Sequence, residues 1–373
     1  MLETLAISNY RSLRQVVVPL RRITVVTGAN GCGKSSLYRG LRLIADCARN
    51  GAIAALAAEG GLASTMWAGA GTATPASLKL GFASADFGYA VDLGLPVPGR
   101  TQFNLDPEIK CEALWHGPVL RPGTALVDRS GPQVLIRNTD GDWVNSGSTL
   151  KPFDSVFSEL ADPVAAPEVM WLRDRMRSWR FYDHLRTDSG APARRPVIGT
   201  RTPVLGHDGA DLAAALQTIL EIGDARTLAA NVKSAFAGSS IEISVTGGLF
   251  EVGLRQPGML RALSAAELSE GTLRYLLLVA ALLSPRPAEL TVLNEPESSL
   301  HPELLQALAT LIVAASTQTQ IVVVTHSSEL ASALSERAGE RVSLLRLVKM
   351  AGSTAVADLG CLDEPPWHWP RRG

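Results

Sequence analysis

One short stretch, Gly28 to Ser35, constrains the fold of this chain more than any other. Its sequence, GANGCGKS, fits the pattern G-x-x-x-x-G-K-S. The run before it, Ile23 to Thr27, is β-branched and apolar like a buried strand, and the run from Ser36 to Cys47 carries apolar residues at helical spacing. Strand, loop and helix therefore follow in the order that a phosphate-binding P-loop requires.

This loop offers several kinds of group to a nucleoside triphosphate. Its glycines let successive backbone N–H groups point toward an anion, and the helix that follows adds the positive end of its dipole. We expect Lys34 to reach the β- and γ-phosphates of ATP and Ser35 to bind Mg²⁺. The nucleotide contacts predicted for the loop are Asn30, Gly31, Gly33, Lys34, Ser35 and Ser36.

Composition places the chain among ordinary globular proteins. Its 373 residues are 46% hydrophobic and 19% charged, enough for one large or two modest domains. The formal net charge of −1 gives no general basic excess for nucleic acid. We find neither a signal-peptide pattern nor an apolar run long enough to span a bilayer, and the four cysteines lack disulfide or zinc spacing. We therefore expect a cytoplasmic protein with reduced thiols and no membrane partner.

The order of predicted strands and helices indicates an α/β fold with four parts. Short alternating runs between Ala76 and Trp143 predict an antiparallel β layer, and helical spacing begins near Lys151. A β-hairpin is predicted at 241–255, and α/β alternation resumes after it. No heptad pattern is sustained, which excludes a long coiled coil. The predicted parts are an ATPase lobe with the P-loop and the β layer at 1–149, an inserted helical lobe at 150–238, an ATPase lobe at 239–362 and a loose tail at 363–373.

Two apolar strands in the second half end in side chains suited to phosphate chemistry. Leu290 to Asn294 is followed by Glu295, whose carboxylate can polarise the water that attacks a γ-phosphate. Ile321 to Thr325 is followed by His326, which we expect to contact that phosphate. Taken singly, the glutamate could cap a helix and the histidine could be an ordinary strand-edge residue. Behind a P-loop they predict a catalytic set of Lys34, Glu295 and His326.

The run Leu268-Ser-Glu-Gly-Thr272 stands directly before an apolar helix that starts at Leu273. It resembles the ABC signature, whose usual form is L-S-G-G-Q. With the P-loop before it and Asn294 to Pro302 and His326 after it, the chain resembles ABC-type ATPases of the RecF, structural-maintenance-of-chromosomes (SMC) and OLD branch, and most closely compact ATPases of RecF type. Further matching segments are Ile7 to Leu13, Trp179 to His184 and Asp208 to Leu212.

This resemblance implies a P-loop NTPase with an ABC-type ATPase head that works as a head-to-tail homodimer. Ser269 and the backbone N–H of Gly271 would contact the γ-phosphate of ATP held by the opposite subunit. ATP would hold the dimer together and hydrolysis would release it. Where this branch usually has an acid, the chain has Asn294, which can accept a hydrogen bond from a Mg²⁺-bound water but adds no charge. Ser35 and Asn294 are thus the predicted metal residues, and we expect slow turnover.

Three functions remain open at this point. The resemblance to RecF favours an ATPase that acts on DNA in repair or genome maintenance. The alternative is a regulatory ATPase that controls a separate protein effector in a defence or toxin-like system. A transporter subunit is disfavoured by the form of the signature. Eight arginines between Trp171 and Arg201, interleaved with aromatic residues, suit DNA contact, but the aromatics could equally pack a core beneath a solvated arginine face.

Overall fold

The computed structural model describes residues 1–69, 77–183, 185–357, 359–360 and 363–372. The chain divides into two compact units. Unit 1 comprises Met1–Arg21, Val26–Trp179 and Leu345–Gly373, and unit 2 comprises Arg22–Val25 and Arg180–Leu344. Among the described residues, no helix has both the length and the apolar character needed to cross a membrane.

The chain up to Trp179 contains the strand, loop and helix predicted around the P-loop and the predicted antiparallel strands. The elements are β1 (Leu2–Tyr10), β2 (Leu13–Pro19), β3 (Ile23–Gly28), α1 (Lys34–Asn50), α2 (Ala52–Ala58), α3 (Leu62–Thr65), β4 (Leu78–Ser84), β5 (Phe87–Gly94), β6 (Glu108–His116), β7 (Ala125–Ser130), β8 (Gln133–Arg137), β9 (Trp143–Thr149), α4 (Val156–Glu159) and α5 (Pro167–Ser178). The longest helix that the structure describes is α1, with 17 residues, so the described chain has no long coiled coil.

From Arg180 onward, strands and helices alternate. The elements are β10 (Arg180–Tyr182), β11 (Val197–Ile198), α6 (Leu212–Ile222), α7 (Ala225–Ala235), β12 (Ser240–Thr246), β13 (Leu249–Arg255), β14 (Leu263–Ser264), α8 (Glu270–Leu282), β15 (Leu290–Asn294), α9 (Pro302–Ala315), β16 (Gln320–Val324), α10 (Ser328–Ala338), β17 (Val342–Met350) and β18 (Ser353–Val356). Short 3-10 turns lie at Pro192–Arg194 and Gly339–Arg341.

Unit 1 is built on an eight-stranded sheet in the order β2-β1-β4-β5-β6-β7-β8-β9. Each neighbouring pair in it is antiparallel. Helix α1 lies against this sheet, and a Cβ on Gly40 would come within 2.6 Å of Ile7 Cδ1. The glycine therefore allows the helix that follows the P-loop to approach the sheet closely, which fixes where the loop ends.

A buried ion pair holds the middle of unit 1 together. The side chains of Glu112 and Arg129 have no solvent exposure, and Arg129 Nη1 lies 3.3 Å from Glu112 Oε2. Glu112 also accepts hydrogen bonds from Tyr89 Oη (2.6 Å), Ser155 Oγ (2.5 Å) and the backbone N–H of Val156 (2.9 Å). Arg129 in turn donates to the carbonyl oxygens of Gly131, Lys151 and Asp154. The pair thus connects the sheet to the segment that leads into α4.

The C-terminal residues pack on the antiparallel sheet, which corrects the prediction of a loose tail at 363–373. Trp367 stacks edge-on against the buried Trp115, with 5.5 Å between ring centroids. Arg372 donates from Nε and Nη2 to both carboxylate oxygens of Asp92, each at 2.8 Å, and Asp92 is fully buried. A buried carboxylate is stable only with such a partner, so Asp92 fixes the tail. Residues 361, 362 and 373 lie outside the described residues.

Unit 2 is organised around α8, which is buried on all sides from Leu273 to Leu282, as expected of a core helix. Strands β10, β15 and β16 run parallel in that order, and Asn294 at the end of β15 pairs with Val324 at the end of β16. A small antiparallel sheet has the order β11-β13-β12, with β14 paired to β13. The residues that follow β15 and β16 therefore lie at one edge of the parallel strands, where ligands bind in α/β folds.

The two units do not follow the boundaries predicted from the sequence. The predicted helical lobe at 150–238 is divided, with α4 and α5 in unit 1 and the residues from Arg180 on in unit 2. The reason is local, because Phe181 and Tyr182 continue from α5 not as helix but as a strand paired with Val292 and Leu293. The predicted lobes at 1–149 and 239–362 each give a segment to the other unit, Arg22–Val25 to unit 2 and the residues from Leu345 on to unit 1.

Candidate active site

The P-loop of unit 1 connects β3 to α1 and turns through glycines. Gly28, Gly31 and Gly33 have φ angles of 145°, 75° and 110°, and Gly33 is the residue that precedes α1. Lys34 is buried, and its Nζ donates to the carbonyl oxygens of Gly28 (2.6 Å) and Ala29 (3.0 Å). The lysine therefore points back into its own loop, while Asn30, Gly31 and Ser35 are exposed and Ser36 is half-buried.

Thr354 of β18 supports the loop from a part of the sequence that the P-loop pattern does not include. Its hydroxyl donates to the carbonyl oxygen of Cys32 at 2.7 Å, and its Oγ1 lies 2.8 Å from Ser12 Oγ. Ser12 Oγ in turn donates to Ser36 Oγ at 3.2 Å. These hydroxyls connect the loop to β18 and to the turn between β1 and β2, a set of contacts that sequence spacing does not indicate.

We predict that Gly33→Ala destabilises unit 1 and weakens ATP binding. A Cβ at Gly33 would lie 2.1 Å from Thr354 Oγ1 and 2.8 Å from Ser12 Oγ, and rotating Thr354 away would break its bond to Cys32. We expect the overpacking to lower the free energy of unfolding by about 1–3 kcal/mol. The positive φ of Gly33 should lower it by about 1–2 kcal/mol more. Urea unfolding and ATP titration measure the two effects.

Gly31→Ala is the matched control for this substitution. Gly31 also has a positive φ, but a Cβ there would meet no atom within 4 Å. The free energy of unfolding of Gly31→Ala should therefore fall only by the cost of a left-handed backbone, about 1–2 kcal/mol. Equal losses of stability and of ATP affinity in the two variants would show that the contact with Thr354 has no role.

Glu295 and His326 meet at the carboxyl ends of β15 and β16 in unit 2. Glu295 Oε1 lies 2.9 Å from His326 Nε2, and both side chains are more than 40% exposed. The backbone N–H of Glu295 donates to the carbonyl oxygen of Val324 at 2.8 Å. The residue has a φ of 49°, an unfavourable value for a side chain larger than glycine. The structure thus presents a carboxylate beside an imidazole at a position that water can reach.

Glu297, which the sequence reasoning missed, joins the two strand ends. Its Oε1 accepts hydrogen bonds from Thr325 Oγ1 (2.6 Å) and from the backbone N–H groups of His326 (2.8 Å) and Ser327 (3.2 Å). Its second oxygen, Oε2, is buried without a hydrogen-bond partner among the described residues. Glu297 therefore fixes the backbone that carries His326. In the sequence, the position of Glu297 two residues after Glu295 could have indicated that it belongs to the site.

The signature segment leads into α8, which begins at Glu270, three residues before the predicted start at Leu273. Ser269 precedes the helix, and its Oγ accepts a hydrogen bond from the backbone N–H of Thr272 at 3.1 Å. Ser269 and Glu270 are exposed. A Cβ on Gly271 would lie 2.7 Å from the carbonyl oxygen of Ser299, so the signature and the segment after Glu295 are in close contact. The exposed helix N-terminus leaves backbone N–H groups available to an anion.

Arg194 holds the segment before the signature in place. Its guanidinium donates six hydrogen bonds of 2.8 to 3.2 Å to backbone carbonyl oxygens. The acceptors are Thr187, Asp188, Ala265, Ala266 and Leu268. Each nitrogen of this guanidinium bonds at least one carbonyl oxygen within unit 2, so Arg194 is a structural residue.

Several arginines of the arginine-rich stretch contact other residues of this chain. Arg186 pairs with Asp188 at 2.7 Å, and Arg175 lies 4.0 Å above the ring of Trp171. The aromatic residues Trp179, Phe181 and Tyr182 are at most 2% exposed and cannot stack on bases. The packing alternative therefore accounts for these aromatics. The exposed arginines of this stretch are Arg177, Arg186, Arg195 and Arg201, and His184 lies outside the described residues.

The residues in each unit fit the groups that ATP and Mg²⁺ would bring. In unit 1, Lys34 binds two neutral carbonyl oxygens that a charged phosphate can replace. In unit 2, Asn294 Oδ1 is buried with no hydrogen-bond partner among the described residues. A buried oxygen of this kind normally accepts a hydrogen bond, and a water molecule bound to Mg²⁺ can donate it. The chemistry of both groups suits a metal–triphosphate ligand.

A P-loop, an exposed glutamate beside a histidine and a helix-capping signature define an ABC-type P-loop ATPase. Solved structures agree on the fold. An SMC head bound to the C-winged helix domain of ScpA matches with a TM-score of 0.52 and 15% identity over 95% of this chain and 97% of that one. An SMC head with an extended coiled coil, bound to the C-terminal domain of ScpA derived from Pyrococcus furiosus, matches with a TM-score of 0.51 and 14% identity over 95% of each chain.

The family follows from a sequence match over more than half of the chain. Residues 137–332 match the family described as "AAA domain, putative AbiEii toxin, Type IV TA system". The chain belongs to this family. Among curated proteins, none matches its sequence significantly. The matched range contains the signature, Glu295 and His326, while the P-loop precedes it.

Proposed function

We propose that the chain binds and slowly hydrolyses ATP with Mg²⁺ in the cytoplasm and that two copies form a head-to-tail dimer around the nucleotide. The P-loop residues would hold the triphosphate of one subunit, and Ser269 and Gly271 of the other subunit would contact its γ-phosphate. When bound, Mg²⁺ neutralises charge on the β- and γ-phosphate oxygens. The residues proposed to hold the nucleotide and metal are Asn30, Gly31, Gly33, Lys34, Ser35, Ser36 and Asn294.

The observation that carries this proposal is the pair formed by Glu295 and His326. A carboxylate that is 43% exposed can accept a proton from a water molecule, and the imidazole at 2.9 Å keeps it oriented. His326 is also exposed and can donate to an incoming phosphate oxygen. Asn294 supports the expectation of slow turnover, because it contributes no charge to the metal.

We propose further that the ATPase acts as a switch on a separate protein effector. The family description names a toxin and a type IV toxin–antitoxin system. The matching SMC heads were solved with a protein partner, ScpA. The preference for DNA that the sequence suggested loses support, because Trp179, Phe181 and Tyr182 are buried and cannot stack on bases, and Arg194 bonds carbonyl oxygens of its own chain.

Mixing two inactive variants tests the head-to-tail arrangement. Lys34→Ala removes the P-loop ammonium and Ser269→Arg blocks the signature, so each variant alone should be nearly inactive. In a mixed dimer, one site receives both defects and the other has none. An equal mixture should therefore recover about a quarter of the wild-type rate per chain, since half of the dimers are mixed and each has one intact site. A phosphate-release assay measures this rate.

No recovery in the mixture would mean that the signature does not act on the partner's nucleotide. Loss of ATP binding by the isolated Ser269→Arg chain would also contradict the arrangement. Ser335→Arg is the matched control, because Ser335 lies in α10, away from the signature in sequence. It should not complement Lys34→Ala beyond the activity that it already has alone.

DNA binding is the second candidate, supported by the exposed side chains of Arg195 and Arg201. If DNA is the partner, linear duplex DNA should stimulate hydrolysis, and an Arg195→Ala/Arg201→Ala variant should lose that stimulation. A higher salt concentration should weaken this stimulation by DNA, because contacts with DNA phosphates release counterions. Unchanged hydrolysis with DNA would leave the protein effector as the partner.

A further inference from the structure

Arg274 is a buried cation in α8 that the proposed function does not use. It lies five residues after Ser269, and its Nη1 donates to the carbonyl oxygen of Leu185 at 2.7 Å. Its Nη2 donates to the carbonyl oxygen of Glu295 at 3.0 Å, and its Nε is buried without a hydrogen-bond partner among the described residues. Burial lowers the pKa of this guanidinium, opposed by the nearby Glu297 and Glu295. A buried, incompletely bonded arginine is unfavourable for folding, so its place in the core calls for another reason.

Arg274 contacts Glu295 at a strained point of the backbone. Glu295 has a φ of 49°, a left-handed conformation that persists only where the surroundings hold it. Its N–H donates to the carbonyl oxygen of Val324, and its carbonyl oxygen accepts from Arg274 Nη2 at 3.0 Å and from the backbone N–H of Ser298 at 3.1 Å. The peptide groups on both sides of its Cα are thereby fixed, and with them the direction of the carboxylate toward His326. Of these three restraints, Arg274 supplies the one that comes from a side chain and from another helix.

We propose that Arg274 is a positioning residue that sets Glu295 for hydrolysis and connects it to the signature of the same chain. This inference rests on the proposed head-to-tail dimer, in which Ser269 and Glu295 of one chain serve different ATP molecules. The arginine lies on the helix that begins at the signature, and Gly271 contacts Ser299, just beyond Glu295. A shift of α8 on ATP contact would therefore move the restraint on Glu295.

The first test is Arg274→Lys in the homodimer. A single ammonium keeps the charge but cannot reproduce the guanidinium fork that bonds two carbonyl oxygens at once. The maximal rate should fall about tenfold to 100-fold, the size expected of a small misplacement of a reacting group. The ATP dissociation constant and the midpoint of thermal unfolding should stay near wild-type values. Arg226→Lys, an exposed arginine of α7, is the control and should change none of these.

The second test places Arg274→Lys in one chain of the complementing mixture. The intact site uses the P-loop and Glu295 of the Ser269→Arg chain and the signature of the Lys34→Ala chain. Arg274→Lys in the Ser269→Arg chain should lower the recovered rate about tenfold or more, again by misplacing Glu295. In the Lys34→Ala chain it should leave the recovered rate within about twofold, since that glutamate serves a defective site.

The outcomes separate this inference from the proposed function. A loss that follows the Lys34→Ala chain would assign Arg274 to the signature, and losses in both chains would indicate general structural damage. Either result, or an unchanged rate in the homodimer, overturns the positioning role. Failure of the mixture without Arg274→Lys to recover activity would overturn the head-to-tail function. The homodimer test would then decide alone whether Arg274 affects the maximal rate without affecting ATP binding.

Discussion

The Glu295→Gln variant is expected to bind ATP as tightly as the wild type and to hydrolyse it about 10²–10⁴-fold more slowly, the usual contribution of a general base. An amide has the shape of the carboxylate and keeps an oxygen to face His326, but it cannot accept a proton from water. Since hydrolysis ends the proposed dimer, ATP should then accumulate a stable dimer. Single-turnover kinetics and light scattering with and without ATP measure the two effects.

Glu336→Gln provides a matched control, because Glu336 is an exposed glutamate of α10. It should hydrolyse ATP at the wild-type rate and show no ATP-dependent accumulation of dimer. Wild-type turnover in the Glu295→Gln variant would place the base elsewhere. A monomer in the presence of ATP, with turnover abolished, would separate the chemistry from the head-to-tail arrangement and refute only the latter.

The largest effect on folding is expected from Glu112→Leu. This change leaves the Arg129 guanidinium buried without its carboxylate and removes the acceptor of the three further bonds from Tyr89, Ser155 and Val156. Breaking a buried pair from one side costs about 3–5 kcal/mol in the free energy of unfolding. Urea unfolding, followed by circular dichroism, measures the loss.

Two comparisons isolate the buried charge as the cause. Glu108, on the same strand, forms a more accessible pair with Lys110 at 2.6 Å, and Glu108→Leu should cost about 1 kcal/mol or less. Joining Glu112→Leu to Arg129→Leu should recover part of the loss, because no unpaired charge then remains. A loss as small as that of Glu108→Leu would mean that solvent reaches Arg129.

The predictable parts of the molecule are those whose signals are local. The P-loop sequence predicts β3 and α1 because glycine positions and apolar spacing act over a few residues, and the antiparallel layer follows from short alternating runs. The apolar run after Leu268 likewise predicts α8. The ABC-type fold itself was implied by the resemblance of Leu268 to Thr272 to the ABC signature, in its order with the P-loop, Glu295 and His326.

The parts that could not be predicted depend on contacts between distant residues. Arg194 bonds Ala265 and Leu268, 71 and 74 residues further on, and nothing in its neighbourhood distinguishes it from the exposed Arg195. The strand at Phe181 forms because β15 is available to pair with it, although its sequence continues a helical pattern. Arg372 bonds Asp92, which lies 280 positions earlier in the sequence. Composition predicts a loose tail, but the tail is held in place because Arg372 bonds the buried carboxylate of Asp92.

The inward position of Lys34 has a consequence for the timing of nucleotide binding. The ammonium donates to the carbonyl oxygens of Gly28 and Ala29, and these bonds have to break before Lys34 can bind a phosphate. Nucleotide has to wait for, or induce, the release of this side chain. At high ATP concentration, the observed association rate should then level off at the rate of lysine release instead of rising in proportion to concentration.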